Sequence, residues 1–102
     1  MPMLRITTID KGQTTTFRLE GRLIGDWVTE LEHCWIDIKS ADCKRRFRVD
    51  MIDVEDVDKE GKTLLKRLFL AGAEFHGGDL WIRSIIDDIV AHSKSELPIV
   101  KQ

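Results

Sequence analysis

The feature that most limits what this chain can become lies at its start, where apolar and polar side chains alternate on both sides of a turn. Leu4 and Ile6 alternate with Arg5 and Thr7 across residues 3–9. Phe17 and Leu19 alternate with Thr16, Arg18 and Glu20 across residues 14–20. A period of two puts successive side chains on opposite faces of an extended strand, a pattern that would wrap right round a helix. Lys11-Gly12-Gln13 supplies the turn between the two runs. Together they predict an antiparallel hairpin with one face on a core and the other in water.

Beyond Gly21 and Gly25 the period changes. Trp27, Val28, Leu31, Cys34, Trp35 and Ile38 recur at spacings of three and four. They form one apolar stripe about 120° wide on a helix. Asp26 is its expected N-cap, and Ile36 falls on the opposite side. Trp27 and Trp35 lie on the stripe, which assigns them to core packing rather than to a stacking platform for bases. Residues 46–52 predict a central strand feeding a crossover. A second long helix follows over 58–71, with Leu64, Leu65 and Leu68 inward. Gly61 and Gly72 fall on that same side, where a missing side chain lets a helix sit close to a sheet. Residues 79–83 predict a further strand. Ser84, with Asp87 three residues on, resembles a capping box opening a last helix whose apolar face is Ile85, Ile86 and Ile89. The predicted order is β-β-α-β-α-β-α. Strands alternating with helices imply an α/β fold with parallel pairing and right-handed crossovers, and the opening hairpin makes the sheet mixed.

A chain of 102 residues fits one domain, with a core over about 3–93 and an irregular tail over 94–102. At 42% hydrophobic and 33% charged residues it is expected to fold rather than remain disordered. A net charge of −2 gives no overall pull toward nucleic acid or an anionic membrane. Two cysteines, Cys34 and Cys43, are too few for a disulfide framework and read as reduced thiols in a cytoplasmic protein. No apolar run approaches the roughly 18 residues of a membrane span. Met1-Pro2-Met3-Leu4-Arg5 lacks the pattern of a signal peptide.

Catalytic chemistry finds little support. His33, Cys34, Cys43, His76 and His92 show no paired metal-ligand spacing, so neither a metal nor a cofactor is expected. There is no Gly-x-Ser-x-Gly elbow and no glycine-rich phosphate loop, and His76-Gly77-Gly78 reads as a turn. An enzyme is not expected. The basic cluster Lys44-Arg45-Arg46-Arg48 is followed at once by Asp50, Asp53, Glu55, Asp56, Asp58 and Glu60. Opposite fields so close cancel beyond a Debye length, which argues against nucleic acid as a partner. The acids lie on a strand, a connection and a helix start, and need not converge.

The segment 49–65 carries the most information. Asp50-Met51, Val54, Val57, Asp58 and Gly61 stand at spacings that resemble those of a STAS domain, the module of anti-sigma factor antagonists and sulfate-transporter tails. The hairpin end Leu19-Glu20-Gly21-Arg22-Leu23 and the segment 68–75 resemble the same family, so the likeness extends over about residues 3–93. It implies a STAS-like fold and a protein-docking function. In the family the helix opens on Asp-Ser-Ser-Gly, and the second serine is phosphorylated by a partner kinase. Here Lys59 and Glu60 hold the two serine positions, so the hydroxyl that accepts a phosphoryl group is absent.

The turn keeps its physical character. Free N–H groups and the macrodipole favour negative charge at a helix start. Asp58 is a plausible N-cap. Glu60 either imitates a phosphoserine or simply complements the dipole, and both readings stay open. Thr63, one turn later, is the nearest hydroxyl and a second candidate for modification. Lys59, Thr63, Lys66 and Leu70 align opposite the leucine face, and with Asp58, Glu60 and Gly61 they make the expected partner surface. The partner that the resemblance implies is an anti-sigma factor or a regulatory ATPase-kinase. A small ligand-binding or scaffold subunit, with a pocket lined by Trp27, Trp35 or Trp81, is the alternative.

Overall fold

A computed structural model describes residues 4–78 and 80–94, with side chains for all of these except 81 and 92–94. The chain order is β1 (Leu4–Lys11), β2 (Thr14–Leu23), α1 (Asp26–Ala41), β3 (Arg46–Val57), α2 (Lys59–Leu70), β4 (Glu74–His76) and α3 (Leu80–Lys94). This is an α/β fold with the predicted order of elements. The four strands form one mixed sheet in the order β1-β2-β3-β4. β1 pairs antiparallel with β2, and β3 lies parallel to both β2 and β4.

The sheet grows in one direction only. Right-handed crossovers from β2 to β3 and from β3 to β4 therefore carry α1 and α2 to the same face. A reversal of strand order would have sent one helix to the other side. The burial pattern agrees. Leu4, Thr15, Phe17, Leu19, Phe47, Val49 and Met51 are buried on the helix side, while Arg5, Thr7, Arg18, Arg46 and Arg48 on the opposite side are exposed. The rings of Phe17 and Phe47 stack with centroids 5.7 Å apart beneath the helices. The open face carries cross-strand rows such as Thr7–Arg18–Asp50–His76 and Arg5–Glu20–Asp53. Arg18 reaches Asp53 at 3.7 Å there.

α1 packs through Val28, Leu31 and Trp35, with Trp27, Cys34 and Ile38 half-buried beside them; Ile36 is exposed, as its place off the stripe predicts. The indole of Trp35 lies under two cations, Lys39 at 5.0 Å and Arg67 at 5.7 Å from the ring centroid. Arg67 also pairs with Glu32. These contacts zip α1 to α2.

Several expected boundaries move. Asp26 is the first helical residue of α1 rather than its N-cap, and Gly25 takes the cap position with φ +57°. β3 runs to Val57, five residues beyond the expected end, because two bulges interrupt its register with β2. The described part of the strand expected over 79–83 is helical instead. Leu80 to Arg83 open α3, and the last strand is the short β4. Apolar runs this short do not distinguish a strand from a helix. Ser84 and Asp87 are exposed within α3 and form no capping box. Gly72 is exposed with φ +100° and meets nothing, so it does not bring the helix close to the sheet. It ends α2 instead: Gly72 N–H donates to Phe69 O and Ala73 N–H to Leu68 O, the paired bonds of a Schellman motif. Met3, Asp79 and the tail after Ser95 lie outside the described residues.

Candidate functional site

The β3–α2 junction is built around one carboxylate. β3 delivers Asp58 to the surface with extended backbone, and its Oδ1 accepts a hydrogen bond from Gly61 N–H at 2.7 Å. That is the expected N-cap bond. The other oxygen, Oδ2, accepts from Gly25 N–H at 2.9 Å. Asp58 N–H in turn donates to Leu23 O at 3.2 Å. Asp58 thus joins the end of β2, the start of α1 and the start of α2. Two helix N-termini, each a positive dipole end, meet at the same side chain. The position where an incoming anion would bind is filled by the protein's own carboxylate.

Gly61 is buried, and the reason is steric. A Cβ there would lie 2.7 Å from Leu23 O and 2.8 Å from Val57 Cγ1. The helix start closes directly on the end of β2, as the sequence position suggested. A partner would therefore meet the turn through Lys59 and Glu60, which are exposed, and not through Gly61.

Farther along α2, Leu64, Leu65 and Leu68 are buried and hold the helix to the sheet. Lys59, Thr63 and Leu70 are exposed on the far side, with Lys66 half-buried among them. Leu70 exposes 37% of its surface. The structure thus brings Lys59, Thr63, Lys66 and Leu70 onto one strip. Glu60 lies off it, on the flank it shares with Arg67, toward α1. Thr63 Oγ1 donates to Lys59 O at 3.1 Å, a local bond back to the preceding turn.

The charged clusters disperse. The side chain of Arg45 is largely enclosed and bonds to Thr15 Oγ1 and Thr14 O, with Asp10 at 3.4 Å. Arg46 and Arg48 lie on the open face of the sheet. Among the acids, Asp50 accepts from Ile52 N–H, Asp56 from Val57 N–H, Asp53 faces Arg18 and Asp58 caps α2. Among the described residues no three His, Cys, Asp or Glu side chains are grouped so as to hold a metal ion. His92 is outside the described side chains. His76-Gly77-Gly78 forms the tight connection to α3: both glycines have positive φ, and a Cβ at Gly77 would lie 2.2 Å from Ile52 Cγ1.

Two features escaped the sequence reading. One is the tie from Asp58 to Gly25, which joins residues 33 apart and has no local signature. The other is an open groove of about 880 Å³ on the bare side of the sheet, lined by Leu4, Arg5, Glu20, Ile52, Asp53 and Glu55 among others. It forms where β3 bulges. Neither Trp27 nor Trp35 lines it, and the side chain of Trp81 is not described. Within the described residues no helix is long and apolar enough to cross a membrane. No protein-family model and no curated protein matches the chain.

Proposed function

We propose that this chain is a non-catalytic interaction module resembling an anti-sigma factor antagonist, and that it docks through the outer face of α2. The observation that carries the reading is the division of α2 into two faces. Leu64, Leu65 and Leu68 fix the helix, while Lys59, Thr63 and Leu70 stand in solvent beside a surface first turn. The family's docking helix occupies the corresponding place in the order of elements. Its phospho-switch does not operate at position 60, which holds a glutamate. The carboxylate of Asp58 already accepts from Gly61 N–H and Gly25 N–H, so the turn is capped without a phosphate. The partner is an anti-sigma factor or a regulatory ATPase-kinase, met in the cytoplasm.

A pull-down from the source cell with wild type, Leu70→Asp and a Lys66→Glu/Leu70→Asp double variant tests this. The expected result is capture of such a partner by wild type and its loss from both variants, with circular dichroism unchanged. Capture that both folded variants retain overturns the docking face. Partner affinity for Glu60→Ser and Glu60→Gln separates the two readings of Glu60. Mimicry predicts that both changes alter affinity, and equal affinity for all three forms rules it out.

A further inference from the structure

We infer that β1 is a self-pairing edge, through which two copies of this chain join into one continuous eight-stranded sheet. Among the described residues β1 pairs with β2 on one side only and forms one border of the sheet. Its register with β2 is continuous from Leu4 to Lys11, with no bulge to twist the edge away. Its sequence, Leu-Arg-Ile-Thr-Thr-Ile-Asp-Lys, contains no proline. Residues 6–9 are four uncharged β-branched side chains in a row. Bulges and prolines are among the usual guards of an exposed edge and β1 has neither, its charges, Arg5, Asp10 and Lys11, lying toward its two ends. The opposite border is a strand of three residues, which offers far less to pair with. The helix layer covers Leu4 and Ile6 but not the second half of β1, since Thr8 and Asp10 on the helix side are exposed. A second strand therefore has room to approach.

The occupant is a second copy because β1 complements itself. Two antiparallel neighbours related by a two-fold axis normal to the sheet must pair residues of equal parity, because paired side chains share a face. Centring the axis on Thr7 pairs Thr7 with Thr7, Ile6 with Thr8, Arg5 with Ile9 and Leu4 with Asp10. Threonine pairs are favourable cross-strand neighbours, and Ile6 and Thr8 are both β-branched residues suited to a strand. Ile9, now 41% exposed, would lie under the aliphatic stem of the second copy's Arg5. Moving the axis to Thr8 sets Arg5 against Lys11, and moving it to Ile6 shortens the overlap. The Thr7 register is thus the longest one that avoids opposing like charges. This edge is remote from the outer face of α2, so the inference stands apart from the docking reading.

The test is sedimentation of the full chain over a range of concentrations up to the solubility limit. Wild type should rise from 11.8 kDa toward twice that mass. Thr7→Lys and Thr7→Asp each place like charges at the axis and should stay monomeric, with melting temperatures close to wild type. An equimolar mixture of the two variants should form the dimer again, because only the Thr7 register sets position 7 against itself. A wild type that stays monomeric at every concentration overturns the inference. So does a dimer that persists in both variants, or a folded mixture that stays monomeric.

Discussion

Single atoms decide how closely the parts of this protein approach. At Gly61 one added methyl would press on a backbone oxygen and on Val57. The carbonyl of Leu23 belongs to β2 and cannot turn aside. Gly61→Ala should therefore lose up to about 2 kcal/mol, because overpacking of about 1–3 kcal/mol is set against a helix-propensity gain of about 1 kcal/mol. The midpoint of chemical denaturation measures it. At Asp58 the two carboxylate oxygens serve two different segments. Asp58→Ala should cost about 2 kcal/mol, the upper end for a lost cap, and Asp58→Asn less, since its one oxygen still accepts. The two cysteines also differ. Cys43 is exposed, whereas burial, with Glu30 and Asp37 adding to it, pushes the Cys34 thiol up. The thiolate is the reactive form. Cys43 should therefore alkylate first and Cys34 in a slower phase that speeds up only at more alkaline pH. Mass spectrometry at timed quenching shows the order.

At the scale of elements, β3 explains why part of the fold was hard to read. Val54 and Val57 are three residues apart, a spacing that no regular strand allows on one face. β3 nevertheless buries Met51, Val54 and Val57, because each bulge inserts an extra residue and restores the facing side. Without knowledge of the bulges, residues 53–57 read as an acidic connection. α2 was legible because its signals are local, Asp58 at the cap and leucines at helical spacing, whereas Gly72 read as an inward-facing residue and only the structure shows it ending the helix. The positive φ of Gly72 closes the Schellman motif. Gly72→Ala should accordingly cost about 1 kcal/mol, seen as a lower melting temperature. Leu70→Asp, two residues earlier and on the outer face, should change stability by no more than about 0.5 kcal/mol. A large loss there would mean that the outer face is part of the core.

Across the whole molecule, the one-directional strand order puts all the buried sheet residues on one side and leaves the other to charged and threonine rows. The center of the sheet is β2 and β3, each bonded on both sides, and both carry fully buried side chains. Hydrogen exchange should be slowest there and faster in the short border strand β4. The reverse order would mean that cooperativity does not follow the sheet.

The sequence by itself determined the class and order of elements, because alternation, helical stripes and caps act over a few residues and need no partner to be recognised. It also determined which face of α2 is apolar, and that position 60 lacks a hydroxyl. Only the tertiary structure decided how β3 bulges, where the last strand lies, and that Asp58 bridges to Gly25. Those depend on contacts between residues far apart in the chain, and no local pattern encodes them. The free edge of β1 belongs to the same group: a strand's own residues do not say whether its outer side has a neighbour.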